Sequence, residues 1–329
     1  MTENNNLNKE IIQWGWKTLL SQGYTLKRNL PESVQNTPWS YVVRFATSDG
    51  YIYLKHTPPL LALEATITQI LHDQFHAAVP KIIAHNVELH CFLMKDAGKP
   101  LRSALKTLFD TTLLCKAIDQ FSIIQLAVTD HVAIFLELGV PDWRLDKLPA
   151  LFQHLLCQTE VLLADGLSEA EIAELEGLVP KFTDLCAKLS DYAIKPSIAQ
   201  SDFHDNNILI DAESQNITFI DLGEIVISHP FFSLISCLRQ VLFHHGHTDE
   251  DNAYLSLMNA CLKNYLALKP KEDLLEAFAI ARVLWFIYEG LAQYRLMLAC
   301  DKARFLAVQR QGKLRDVLKD FMASCIAFN

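Results

Sequence analysis

The sequence predicts an α+β fold in two parts, a small antiparallel sheet with one helix and then a larger, mainly helical part. The first hundred residues contain short β-rich runs, and beyond Ala97-Gly98 the sequence changes to long amphipathic helical segments. A chain of 329 residues with 50% hydrophobic content can fill one large or two ordinary cores. We therefore predict domains at 1–97 and 98–329.

The first domain is predicted to contain about five strands and one helix. The β-rich runs are YTLKRNL, SYVVRFAT, YIYLKH, PKIIAHNV and HCFLMKD. The sequence TSDG between the second and third runs carries the Asp-Gly pair typical of a hairpin turn. After Pro58-Pro59, the segment LLALEATITQILHDQF places its apolar residues on one helical face, with Glu64 displaced from that stripe.

The second domain is predicted to consist mainly of helices over 105–138, 148–163, 168–189 and 249–268, and over 271–321 in pieces. Ser168 and Glu171 form a capping-box pattern at the start of one of them. The main strand candidates of this domain are the two apolar runs within IAQSDFHDNNILIDAESQNITFIDLGE, residues 198–224.

Composition limits the classes of function. The net charge of −9 argues against a dominant nucleic-acid surface, which needs a basic face. The first ten residues lack the apolar core of a signal peptide, and no run approaches the roughly 18 apolar residues of a membrane span. The eight cysteines show no metal-type spacing and fit small core residues in a reducing compartment. We expect a cytoplasmic protein without nucleic-acid or membrane partners; the oligomeric state is not predicted.

Three polar residues stand where the two apolar runs of 198–224 end. Asp202 and Asn207 are separated by four residues, and Asp221 follows the strand-like run NITFI. Phosphoryl transfer needs one carboxylate that receives the proton of the acceptor hydroxyl, and an amide with a second carboxylate that hold magnesium on nucleotide phosphates. The spacing is that of a kinase catalytic loop and metal site.

The same stretch resembles the hallmark of the aminoglycoside phosphotransferase family, which shares a bilobal protein-kinase-like fold with choline kinases. The family pattern H-G-D-x-H-x-x-N-x-x-x-D, followed by a strand ending in I-D-W/F-G-E/D, is met here by the residues Asp202, His204, Asn207, Asp211 and Asp221. The resemblance implies that Asp202 is the catalytic base, that Asn207 and Asp221 bind Mg²⁺, and that His204 supports the loop.

The chain departs from the family pattern at three positions. Gln200 and Ser201 replace the usual His-Gly, and a serine in place of glycine strains the backbone wherever the site needs a positive φ. Ser233 stands where many relatives have an aspartate that buttresses the loop.

The resemblance also assigns residues of the first domain to nucleotide binding. Lys55 would contact phosphates of ATP or GTP, and Glu64 on the following helix would be its ion-pair partner. Backbone groups from Met94 to Asp96 would meet the adenine edge. The phosphate-covering turn in NTPWSYVVRF contains no glycine, and Ser40 is its candidate phosphate contact.

Other polar clusters are interpreted structurally. Asp211 is expected to form a turn, and FHHGH at 243–247 a helix end rather than a metal site. The acids at 249–251 favour a helix N-terminus over attraction of a cationic acceptor. The aromatic residues around Glu289 favour core packing over an aromatic box for an ammonium group.

The sequence therefore predicts a Mg²⁺-dependent kinase that transfers the γ-phosphoryl group of ATP or GTP to a hydroxyl of a small molecule, whose identity it does not specify. A catalytically silent nucleotide-binding or interaction module of the same fold is the alternative, motivated by Gln200-Ser201 and the glycine-free turn. Transfer of another part of the nucleotide, such as AMP, is a third hypothesis.

Overall fold

The structure of the protein is a computed structural model that describes residues 2–308 and 310–327, with only the backbone described at 2–5 and 307. The helices α1 to α13 span Thr2–Ser21, Glu64–Phe75, Leu101–Thr107, Thr111–Val128, Val132–Glu137, Leu148–Leu156, Thr159–Asp165, Glu169–Ser190, Phe231–His245, Asn252–Lys263, Lys271–Ala299, Lys302–Ala307 and Lys313–Ala327. The strands β1 to β10 span Glu32–Asn36, Tyr41–Thr47, Gly50–His56, Ile82–Asn86, Cys91–Lys95, Lys99–Pro100, Ser197–Ala199, Ile208–Ile210, Ile217–Phe219 and Val226–Ser228.

The chain divides into two compact units. The first, which we call the sheet unit, comprises Met1–Lys99, Leu209–Gly223 and Met297–Val308. The second, which we call the helical unit, comprises Pro100–Ile208, Glu224–Leu296 and Gln309–Asn329. The functional roles predicted for domains 1–97 and 98–329 stay predictions.

The sheet unit is built on a five-stranded antiparallel sheet in the order β1-β2-β3-β5-β4. Strands β2 and β3 are joined by the predicted Asp-Gly hairpin turn. Thr47 Oγ1 donates to the Gly50 carbonyl at 2.8 Å, and Gly50 has a φ of 106°, which glycine adopts without a steric penalty. The turn prediction is confirmed.

A long N-terminal helix, α1, packs on this sheet and is missing from the sequence prediction. Its first turns are rich in asparagine, a weak helix former, so local propensity gives no helical signal there. Tertiary packing supplies the stability, because Ile11 and Leu19 are fully buried against the sheet. Gly15 permits the close approach, since an added Cβ would lie 3.3 Å from Leu54 and Phe45 side-chain atoms.

The predicted first strand, YTLKRNL, is wrong. The first strand of the sheet is instead Glu32–Asn36, and within 24–30 only Leu26 forms an isolated bridge, with Thr47. Tyr24 and Leu26 nevertheless pack against the core of the sheet unit. Their alternation therefore reflects burial of one face in a segment that forms an isolated bridge rather than a strand, a distinction that a period-two pattern does not make.

The helical unit interrupts two of the predicted helices. The segment 105–138 forms three helices, because Asp110 accepts from the Leu113 N–H as an N-cap and His131 begins another turn. The segment 148–163 forms two. The prediction at 168–189 is confirmed as α8, with the Ser168–Glu171 capping box formed in both directions.

Only the end of helix α9, at FHHGH, is part of the prediction, and its start at Phe231 is not. Its first eight residues are all buried, so the sequence shows no polar face from which a helical period could be detected. Five of the eight cysteines are buried, as predicted for small core residues, whereas Cys157 is exposed.

A buried glutamine connects the elements that lead to the predicted catalytic loop. Gln125 on α4 donates from Nε2 to the carbonyls of Ile198 and Pro230 at 2.9 and 3.0 Å, and its backbone carbonyl accepts from Ser197 Oγ. These bonds satisfy backbone groups that the core would otherwise leave unpaired. They fix β7, which pairs with β10, and the residue before α9.

Strands β8 and β9 form a three-stranded sheet with β6. At the β8–β9 turn, Asp211 Oδ1 accepts from Ser214 N and Oγ and from Glu213 N, as predicted for a turn residue. Among the described residues, no helix combines the length and apolarity that crossing a bilayer requires.

Candidate active site

The catalytic-loop prediction concerns Gln200–Asn207, which follow β7. Asp202 Oδ1 lies 3.1 Å from His204 Nε2, and Oδ2 accepts from Asn207 Nδ2 at 2.9 Å. The Asp202 side chain is 41% exposed, so the same carboxylate is both held by neighbours and accessible to solvent. The structure thus brings together Asp202, His204 and Asn207, all three of which the sequence predicts.

These contacts set the orientation of both neighbours. His204 Nδ1 accepts from the Asn206 N–H at 3.2 Å, which leaves the ring proton on Nε2, where it faces Asp202. Asn207 uses Nδ2 for the Asp202 carbonyl and carboxylate, and its Oδ1 accepts no hydrogen bond from a described residue. The amide is therefore oriented with its oxygen, a ligand type that magnesium prefers, available.

Asp202 is held in its ionised form. Burial by itself raises the pKa of Asp202, but the hydrogen bonds from His204 and Asn207 more than offset this and lower the pKa below its usual value. For His204, burial acts to lower the pKa, and the Asp202 carboxylate reverses the direction and raises it. A carboxylate that stays ionised at neutral pH is suited to receive a proton.

The departures from the family pattern cause no backbone strain. Ser201 does not have a positive φ, so a glycine is not required there. The N–H of Gln200 donates to Ser233 Oγ at 2.7 Å in the interior of the helical unit. Ser233 therefore anchors the start of the loop through a neutral hydroxyl.

Asp205 is the residue of this loop that the sequence prediction missed. Its side chain is fully buried and accepts from Arg102 Nε at 2.8 Å and from His245 Nε2 at 2.7 Å. Its carbonyl also accepts from the Arg102 N–H at 3.0 Å. Burial raises the pKa of Asp205, but Arg102 and His245 lower it below its usual value. The only local clue was an acidic residue within a segment that must pack against the core.

We expect Asp205→Asn to destabilise the protein by about 1.5–3 kcal/mol at pH 7, because it weakens buried hydrogen bonds to a charged acceptor. Since the folded pKa of Asp205 is lowered, this stabilisation is present above the unfolded pKa and disappears as pH falls through the folded value. Urea unfolding at pH 7 and at pH 3 measures the difference. Asp146→Asn, at an exposed position of the same unit, is the control. Equal midpoints for Asp205→Asn and wild type at pH 7 would contradict the role.

The sheet unit contains the second predicted cluster. Lys55 Nζ lies 2.8 Å from Glu64 Oε1 and also donates to Asp221 Oδ1. The Lys55 and Glu64 side chains are 5% and 4% exposed. Burial acts to lower the pKa of Lys55, but the charges of Asp221 and Glu64 reverse this and raise it above the usual value. The predicted Lys55–Glu64 pair is thus formed, with Asp221 as a third member.

The backbone at Asp221 adopts an uncommon conformation. Its φ is 65°, a left-handed value that costs free energy for a residue with a side chain and that tends to occur at functional positions. Two residues later, a Cβ on Gly223 would lie 3.1 Å from the Leu61 carbonyl and 3.2 Å from Glu64 Oε2. The glycine of FIDLGE therefore lets the chain pass close to the ion pair.

Ser40, Met94 and Asp96 are the other residues predicted to contact the nucleotide. Ser40 is buried, its Oγ has no hydrogen-bond partner among the described residues, and it lines a cavity of about 40 Å³ with His56 and Arg304. Met94 lies within β5, paired with Tyr53 and Ile82, and Asp96 directly follows that strand. The Asp96 N–H donates to the Tyr51 carbonyl at 3.3 Å. Their roles stay predictions.

A cavity of about 260 Å³ opens beside Asp202 within the helical unit. We call it the Asp202 pocket. Its charged and aromatic lining consists of Asp202, Glu224, Trp285, Glu289, Arg310 and Lys313. No local sequence pattern places Arg310 and Lys313 near the loop, because more than a hundred residues separate them from Asp202.

The polar and aromatic clusters that were interpreted structurally lie where those interpretations place them. Helix α9 ends at His245 and is followed by Gly246 with a φ of 67°, as FHHGH predicted. Asp251 is the N-cap residue of α10. Trp285, Phe286 and Tyr288 are buried, although Trp285 also faces the Asp202 pocket.

Solved structures of kinases share the fold of the chain. The structure of the ethanolamine kinase of Plasmodium vivax has a TM-score of 0.59 at 12% identity, covering 91% of this chain and 83% of the kinase. The structure of choline kinase LicA from Streptococcus pneumoniae has a TM-score of 0.60 at 10% identity, covering 94% of this chain and 99% of LicA. The GDP complex of an F108L mutant of aminoglycoside 2'-phosphotransferase-IIIa has a TM-score of 0.57 at 13% identity, covering 96% of this chain and 98% of the phosphotransferase. The chain therefore has a kinase-like fold, as predicted.

The sequence assigns the chain more narrowly. The model of the phosphotransferase enzyme family matches residues 33–260, and the chain belongs to that family. No curated protein sequence matches the chain significantly. The match confirms the resemblance seen around Asp202, Asn207 and Asp221.

Proposed function

We propose that the protein transfers the γ-phosphoryl group of ATP or GTP to a hydroxyl group of a small molecule, with Mg²⁺. The observation that carries the proposal is the position of the Asp202 carboxylate, which His204 and Asn207 contact on the wall of the Asp202 pocket. Family membership supports phosphoryl transfer. Two aminoglycoside phosphotransferases of similar fold were solved with bound GDP and ADP, which supports a nucleotide donor.

Asp202 is the proposed base. An acceptor hydroxyl in the pocket would donate its hydrogen bond to the carboxylate, whose lowered pKa keeps it ready to receive the proton as the new phosphorus–oxygen bond forms. His204 and Asn207 fix the carboxylate, so little reorganisation is needed at the moment of reaction.

Magnesium is proposed to bind as part of a nucleotide complex. Among the described residues, no group of three or more His, Cys, Asp or Glu could form a metal site from protein ligands alone. Magnesium is usually bound through one or two carboxylates together with substrate phosphates, and Asn207 Oδ1 and the Asp221 carboxylate are hard oxygen donors of that kind. When bound, the ion would neutralise charge on the phosphates. Lys55, held in its charged form by Glu64 and Asp221, is the proposed phosphate contact.

Consumption of ATP and GTP by the purified protein, measured with a panel of hydroxyl acceptors, tests the proposal. We expect consumption that depends on Mg²⁺ and on an acceptor, with a product that has gained one phosphoryl group by mass spectrometry. A gain of a nucleotidyl group would show AMP or GMP transfer instead. Nucleotide binding without any metal dependence, and with no turnover of the panel, would favour a catalytically silent module.

A further inference from the structure

The Asp202 pocket has a charge pattern that restricts the acceptor, if the proposed phosphotransferase activity is correct. Its wall carries three acidic side chains, Asp202, Glu224 and Glu289, and two basic ones, Arg310 and Lys313. At about 260 Å³ it falls below the roughly 300–1,000 Å³ of pockets for drug-sized ligands. The acceptor is therefore expected to be small.

Glu289 lines this pocket, and one of its two carboxylate oxygens is unpaired within the described part of the chain. Its Oε1 accepts from Gln293 Nε2 at 2.7 Å, whereas its Oε2 is buried and has no hydrogen-bond partner among the described residues. A buried carboxylate oxygen without a donor costs free energy. A cationic group beside Glu289 would add a charged partner for this carboxylate.

The basic side chains of Arg310 and Lys313 line the same pocket. Arg310 Nη1 donates to Gln293 Oε1 at 3.2 Å, so Gln293 connects Arg310 to Glu289. Lys313, at the start of α13, is exposed and forms no ion pair with a described residue. Guanidinium and ammonium groups in such a position recognise carboxylates and phosphates.

The two charge signs favour an acceptor that carries both charges over one that carries a single charge. An amino alcohol would place its single positive charge in a pocket that Arg310 and Lys313 also line. A hydroxy acid would place its negative charge among three carboxyl side chains. A molecule that carries both charges pairs each with the opposite sign and leaves its hydroxyl for Asp202.

We propose that the Asp202 pocket binds a small zwitterionic alcohol, in which an ammonium group contacts Glu289 and an acid group contacts Arg310 and Lys313. A hydroxy amino acid is the simplest member of this class. In the reaction the hydroxyl oxygen bonds to the γ-phosphorus, and the bond from that phosphorus to the β-γ bridging oxygen breaks. The hydroxyl proton passes to Asp202, and a phosphomonoester and a nucleoside diphosphate leave.

The pH dependence of binding gives a second readout. Burial raises the pKa of Glu289 to about 7; Asp202 acts in the same direction, while Gln293, Arg310 and Arg239 oppose it. Below pH 7 the protonated Glu289 attracts an ammonium group less. The KM for a zwitterionic acceptor should therefore rise as pH falls below about 7 in the wild type, and this rise should be absent in Glu289→Gln.

Matched sets of acceptors test the inference directly. One set is homoserine, 3-amino-1-propanol and 4-hydroxybutyrate; another is serine, ethanolamine and 3-hydroxypropionate. We expect kcat/KM for at least one zwitterion to exceed that of both of its analogues by about 10-fold or more, since each analogue loses one charged contact. Glu289→Gln and Lys313→Ala should each raise the zwitterion KM about 10-fold and leave the nucleotide KM unchanged. Glu276→Gln and Lys319→Ala, on the same two helices but paired elsewhere, are the controls.

Each alternative outcome is informative. If an amino alcohol or a hydroxy acid is phosphorylated as well as the zwitterion, the inference is overturned and the proposed kinase activity stands. If Lys313→Ala raises the nucleotide KM instead, Lys313 serves the nucleotide and the inference is also overturned. The inference is likewise overturned if Mg²⁺-dependent nucleotide hydrolysis occurs but no zwitterionic alcohol stimulates it. Absence of any Mg²⁺-dependent nucleotide turnover would reject the proposed function itself.

Discussion

Asp202→Asn is expected to lower kcat by about 10²–10⁴-fold, the usual contribution of a positioned general base. The amide keeps the size of the carboxylate but does not accept a proton from the acceptor hydroxyl. The nucleotide Kd should stay near the wild-type value, because Lys55 and Glu64 are unaffected. Turnover with a saturating acceptor and fluorescence titration with a nucleotide analogue measure the two quantities.

Asp211→Asn is the matched control for Asp202→Asn. Asp211 belongs to the same segment, but within the described part of the chain its carboxylate accepts only from the turn residues Glu213 and Ser214, so its variant should retain wild-type kcat. Full activity of Asp202→Asn would show that another residue, or the substrate itself, receives the proton. A fall in kcat for Asp211→Asn of similar size would show that the loss reflects loop structure rather than the base.

Lys55→Met is expected to reduce the free energy of unfolding by about 3–5 kcal/mol, because removal of one partner leaves a buried charge uncompensated. The remaining Glu64 is 4% exposed and would have to bind a proton in the folded state. Phosphate contact is lost in the same variant, so the nucleotide Kd should rise. Urea denaturation and nucleotide titration measure the two effects.

A double variant separates stability from nucleotide binding. Lys55→Met with Glu64→Leu removes both buried charges, so it should regain part of the lost stability while nucleotide binding stays impaired. Lys81→Met, at an exposed lysine before β4, should leave the unfolding midpoint unchanged. If Lys55→Met unfolds at the wild-type urea concentration and binds nucleotide normally, the proposed role of Lys55 is wrong.

The loop residues were predictable because their chemistry depends on short sequence spacing. Asp202, His204 and Asn207 lie within six residues, and their mutual contacts are local. The same local view missed Asp205, whose partners Arg102 and His245 lie about 100 and 40 residues away along the chain. Nothing near Asp205 in sequence shows that its carboxylate is buried and paired.

Secondary structure could also be predicted only where it depends on neighbouring residues. Capping and turn residues act on their immediate neighbours, so the start of α8 and the β2–β3 turn were read correctly. Helix α1 and the start of helix α9 are absent from the prediction for opposite reasons. The first has a polar sequence that packing on the sheet stabilises, and the second is so buried at its start that no polar face marks its period.

The sequence by itself determined the class of fold, the family and the polar residues that contact one another around Asp202, because each depends on patterns of a few residues. The tertiary structure decided which distant groups complete each cluster. Asp221 joins Lys55 and Glu64 across more than 150 positions of the chain, and Arg310 faces the pocket of Asp202 from more than 100 positions away. Charge pairing and burial act through space, so the electrostatics of the acceptor pocket exist only once the chain has folded.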